Sequence, residues 1–137
     1  MMDIDWLRDL CLSLPGVTEQ ILWKIDLVFK VGGKTFAVAP LEPAQVCLSF
    51  KCSDEEFAEL SERPGIIPAP YLARAHWVAL ESESALSRTE LELLLRQAYT
   101  LVVAKLPKKV QADLLARKTR QSKQAGQKIR RHESARN

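Results

Sequence analysis

Apolar positions near the start of the chain follow a helical rhythm. Ile4, Leu7, Leu10, Cys11 and Leu14 recur at spacings of three and four and share one helix face. Asp3 or Asp5 is placed to cap that helix, and Pro15-Gly16 to stop it. The rhythm then shortens. Ile21-Leu22-Trp23, Leu27 to Val31 and Lys34 to Val38 are short and rich in β-branched or aromatic residues, as strands are. Gly32-Gly33 between the last two predicts a two-residue hairpin, because glycine takes the positive φ that both turn positions need. Pro40 and Pro43 break the chain, and Val46 to Lys51 reads as a further strand.

Ser53 with Glu56 forms a capping box and predicts a helix running to Arg63, ahead of Pro64-Gly65. Residues 64–72 hold three prolines and are expected to be a loop crossing the sheet. Ala75 to Leu80 predicts the last strand. Neighbouring strand residues face opposite sides, so Trp77 in the core leaves His76 at the surface. The Trp77 ring is then expected against Leu91, Leu94, Leu95 and Ala98. Those residues, with Val102 and Leu106, are the buried stripe of the longest helix, which a second capping box of Ser87 and Glu90 opens. Pro107 marks a break, after which Val110, Leu114 and Leu115 can dock one or two further turns. Without strict βα alternation, this order predicts an α+β fold, a single two-layer domain with an antiparallel sheet and helices on one face. Residues 1–116 make the domain. Residues 117–137 form a basic tail, too polar to bury a core and expected to be mobile in isolation.

Charge sharpens that division. From Lys105 to Asn137 there are eleven Lys or Arg against two acids, a net of +9; the rest has nine against fifteen, a net of −6. An acidic body with a basic arm suggests a polyanionic partner. No apolar run is long enough to cross a membrane, and the acidic start lacks the basic and apolar regions of a secretory signal, so a cytoplasmic protein is expected. Cys11, Cys47 and Cys52 are odd in number and lack metal-knuckle spacing, which argues against a disulfide framework or a metal site. Gly32-Gly33-Lys34 lacks the pattern of a phosphate loop and opens no helix. The carboxylates of Asp54-Glu55-Glu56 and of Glu90 and Glu92 fall in first turns of helices, where they offset the helix dipole. No catalytic constellation and no cofactor motif stands out, and a non-enzyme is expected.

Several short words occur in a fixed order: Leu14 to Glu19, Val28 to Ala37, Pro68-Ala69-Pro70-Tyr71, His76-Trp77-Val78, Ala98-Tyr99 and Leu106-Pro107-Lys108-Lys109. Together they resemble the MmcQ/YjbR family of small bacterial proteins over about residues 3–115. The resemblance implies a compact α+β domain of the double-wing type, described as DNA-binding, with an architecture similar to secretion chaperones. A Ser is common before the Tyr where Ala98 stands, and the family domain ends near Lys109 to Ala116, so the tail is outside the pattern.

The candidate contacts follow from charge and that resemblance. Lys30 and Lys34 flank the Gly32-Gly33 turn, Lys51 ends a strand, and Arg74 and His76 precede Trp77. Lys108 and Lys109 follow the long helix; Lys118, Arg120, Lys123, Lys128, Arg130 and Arg131 lie in the tail. Such groups contact phosphates and position a protein without reading sequence. The expected partner is DNA or another polyanion, bound by a monomer. The alternative is a protein-interaction module resembling a secretion chaperone, holding an extended peptide on an apolar surface.

Overall fold

The Asp3 carboxylate accepts the Trp6 N–H at 3.1 Å and starts α1 (Ile4–Ser13). The computed structural model describes residues 2–70 and 72–117, apart from the side chain of Ala73. α1 buries Leu7, Leu10 and Cys11, the face expected from spacing. Four strands follow: β1 (Val17–Leu22), β2 (Asp26–Val31), β3 (Lys34–Pro40) and β4 (Leu48–Lys51). Ser53 caps α2 (Asp54–Leu60) by accepting the Glu56 N–H at 3.2 Å. β5 (Ile66–Pro68) and β6 (Trp77–Leu80) complete the sheet, and Ser87 caps α3 (Arg88–Val103). A last helix, α4, occupies residues 108–117. The six strands lie in the order β1-β2-β3-β4-β6-β5, with every pairing antiparallel.

One face of this sheet carries the helices. Phe29, Phe36, Phe50, Val78 and Leu80 meet Leu7, Leu91, Leu95 and Ala98 in the main core. A bulge tunes that face. Phe29 opposes Ala37 and Lys30 opposes Thr35, so Phe36 is the extra residue; its ring is fully buried, edge-on to Tyr99 at 5.9 Å. The Tyr99 hydroxyl donates to the Pro15 carbonyl at 2.6 Å, which ties α3 to the end of α1. Ala98, where the family word commonly has Ser, is wholly buried.

Several expectations need correction: α2 stops at Leu60 instead of running to Arg63, and Trp23 lies in a turn after β1 instead of in a strand. Residues 64–72 are not all loop, because Ile66–Pro68 forms an edge strand, where a proline is tolerated. The last strand starts at Trp77, since His76 has φ +58 and breaks the alternation assumed for that pair. Trp77 is buried on the other face, with Ala69, Ala79, Val38, Val46 and Ile67, instead of under α3.

Two of the ion pairs that link elements hold a glutamate. Arg8 on α1 donates twice to Glu19 on β1, at 2.7 and 2.8 Å, and Arg63 after α2 donates to Glu90 on α3 at 2.7 Å. Each arginine holds its carboxyl below the ordinary 4.5. A lowered carboxyl contributes stability above its unfolded value and loses it as pH falls through the folded one. Melting temperatures are therefore expected to fall below about pH 4.5. Glu19→Gln with Glu90→Gln should flatten that acid limb. Glu56, pushed up by burial, works in the opposite sense and leaves the limb shallower than the two pairs alone would make it.

Candidate nucleic-acid interface

Strand register decides where the basic residues go. Val31 opposes both Val17 and Lys34, Ala37 opposes Phe50, and Lys51 opposes Trp77. One end of the sheet therefore gathers the start of β1, the β2–β3 turn, the end of β4 and the start of β6. α3 points its C-terminus the same way, because Leu106 packs on Gly32. A Cβ on Gly32 would lie 2.6 Å from a Leu106 methyl, and φ +57 there suits glycine. Leu114 of α4 fills the same kind of notch over Gly16 (φ +74), with the Arg117 guanidinium beside it. The β2–β3 turn is thus docked beneath the chain rather than standing free.

An open cleft of about 680 Å³ lies at this end. Lys51, Arg74, His76 and Lys105 line it, with Asp54 and Glu55 on one wall. Lys51 Nζ donates to the Ala75 carbonyl at 2.9 Å; burial, then the charge of Lys105, pulls its pKa down. The left-handed backbone at His76 turns its carbonyl to the Cys52 N–H at 3.0 Å and sets its ring against the Asp54 carboxylate and Phe57. Lys34, Lys108 and Lys109 are exposed around the same end. Lys30 is committed to Gln20, donating to its side-chain oxygen at 2.9 Å. Three candidates, Lys51, Arg74 and His76, thus meet in one cleft. Lys105 was missed by sequence reasoning; its place one residue before the stripe residue Leu106 was the available signal. Lys118, Arg120, Lys123, Lys128, Arg130 and Arg131 lie outside the described residues, as does the expected mobility of the tail.

Acids gather at the other end. Asp26 starts β2, Glu42 follows β3, and Glu81 follows β6. Arg88 joins Asp3 and Glu83 there, at 3.1 and 3.5 Å. These acids lie at one end of the sheet, while among the described residues the cationic cleft at the other end has only the acids Asp54 and Glu55 in its wall.

Other chemistry is poorly provided for. Burial pushes the Cys11 thiol up to about 12 and the Cys52 thiol to about 11, so neither is a ready thiolate. Among the described residues no group of three His, Cys, Asp or Glu is placed to hold a metal ion, and no helix is long and apolar enough to span a membrane.

Fold and cleft together define a small two-layer α+β domain with one basic end. The YjbR family model matches residues 12–101, and the chain belongs to that family. Protein DR2400 of Deinococcus radiodurans, with the domain DUF419, superposes with a TM-score of 0.75 at 31% identity. The match covers 83% of this chain and 88% of that one. A Pseudomonas syringae protein shares the fold at a TM-score of 0.59 and 20% identity, over 73% of this chain and 98% of its own. No curated protein matches the chain significantly.

Proposed function

We propose that this chain is a non-catalytic cytoplasmic protein that binds duplex DNA with low sequence specificity, through its basic end and the basic residues beyond it. The convergence of Lys34, Lys51, Arg74, Lys105, Lys108 and Lys109, scattered in sequence, carries this reading. Lysines around an open cleft suit phosphates, contacts that position a protein without reading sequence.

Affinity should be electrostatic. Each phosphate contact releases counterions, so the logarithm of the binding constant falls linearly with that of salt, by about 0.9 per contact. The test titrates unrelated duplexes with the full chain and with a chain ending at Arg117, across rising salt. Similar constants for all duplexes and a steep slope are expected, with the shorter chain retaining part of both. If neither chain binds at low salt, the reading fails. If only the full chain binds, residues 118–137 carry the affinity and the cleft does not.

A further inference from the structure

Among the described residues β1 is an outer strand, paired only with β2, and it lacks the devices that blunt such edges. Val17-Thr18-Glu19-Gln20-Ile21-Leu22 contains no proline and no lysine, and its one charge, Glu19, is held by Arg8. The other edge, β5, has three residues and ends in Pro68. At the tip of β1 the Ile25 N–H returns to the Leu22 carbonyl at 3.2 Å. The turn it closes has φ +56 at Trp23 and +63 at Lys24. Positive φ at both central positions belongs to a turn type dominated by Asn and Gly, and it strains a Trp-Lys pair. Trp23 is also 86% exposed, beside Ile21 at 59% and Ile25 at 42%. Strained backbone thus holds an apolar tip in water, next to an unguarded edge, and neither feature stabilises a lone copy.

We infer that β1 pairs antiparallel with β1 of a second copy, joining two sheets into one. Charge selects this occupant. β1 runs from the basic end to the acidic end, so a twofold axis across it lays each basic end beside the other copy's acidic end. The twofold brings a residue opposite its own copy, and centring it on Gln20 sets Gln20 opposite Gln20, Glu19 opposite Ile21 and Thr18 opposite Leu22. The same register carries Trp23 to the partner subunit's Val17, next to the partner subunit's Gly16. There a largely apolar cleft of about 740 Å³ opens between the end of α1, α3 and α4, with Pro15, Tyr99, Val103 and Leu114 in its walls. The two copies thereby exchange a knob and a hole.

Sedimentation equilibrium of the full chain from about 1 to about 200 µM tests this, since an association this modest appears only as concentration rises. A reversible dimer is expected, weakening several-fold as salt screens the paired ends. Trp23→Asn with Lys24→Gly installs the residues the turn prefers. That variant should melt a few degrees higher yet dimerise at least tenfold more weakly, so lost pairing cannot be put down to misfolding. Ile21→Lys, a charge on the edge, should weaken the dimer likewise. A chain that stays monomeric throughout, or a dimer indifferent to both variants, overturns the inference. So does a monomer that captures an extended peptide along β1 instead.

Discussion

A Trp77→Ala protein is expected to melt roughly 10–20 °C below the parent. Deleting a large buried aromatic costs about 3–5 kcal/mol, and a domain of this size loses a few degrees for each kcal/mol. Trp77 is only 6% exposed and is by far the largest member of the smaller cluster with Ala69 and Ala79. Its described neighbours there, Ala69, Ala79, Val38, Val46 and Ile67, are all much smaller than the indole they would have to replace. The location makes a sharper claim than the magnitude. Trp77 and Leu95 lie on opposite sides of the sheet. Mild changes, Trp77→Phe and Leu95→Val, should therefore add within experimental error, whereas Trp77→Phe and Val46→Ala should couple. Strong coupling to Leu95 would return Trp77 to the helical face.

Reversing three charges at the basic end should weaken duplex binding more than any other surface change. Lys105→Glu, Lys108→Glu and Lys109→Glu together remove three candidate phosphate contacts. At moderate salt each contact is worth somewhat under tenfold, so a loss on the order of 10²-fold is expected, with a salt slope shallower by about 3. Melting should hardly change, because all three side chains are exposed. Asp26→Lys with Glu42→Lys at the far end serves as the control and should strengthen binding only slightly. Equal effects from both sets would mean that net charge alone matters and that the ends are not distinct.

Local signals were legible in the sequence and distant ones were not. The caps at Asp3, Ser53 and Ser87 stood out because each is a side chain bonding to an amide three residues on. The Gly32-Gly33 turn and the stripe from Leu91 to Leu106 were equally plain, one from backbone freedom and the other from helical period. The face chosen by Trp77 was not, because a strand alternates and both faces of this one bury apolar residues. His76 was misread for a related reason: its left-handed backbone serves a contact with Cys52, 24 residues away in the chain. β5 hid behind its prolines, which an edge strand accepts and a central one does not. For the candidate interface, the residue types were readable but their meeting was not. Lys51, Arg74 and Lys105 come together through strand register and the packing of Leu106, and neither has a signature in the local sequence.

The two glycine notches that receive Leu106 and Leu114 also fix where the described chain ends. The Arg117 guanidinium lies beside Gly16, so the last described residue stands at the end that gathers the lysines rather than at the acidic one. On the proposed reading, this makes domain and extension a tethered pair with a short leash. Once the domain touches a polyanion, the next cations meet it at a high local concentration instead of searching for it, and the two weak attachments multiply. A root at the opposite end would have directed the same cations first onto the domain's own carboxylates. On the same reading, the placement of two leucines sets whether residues 118–137 reinforce the domain or compete for it.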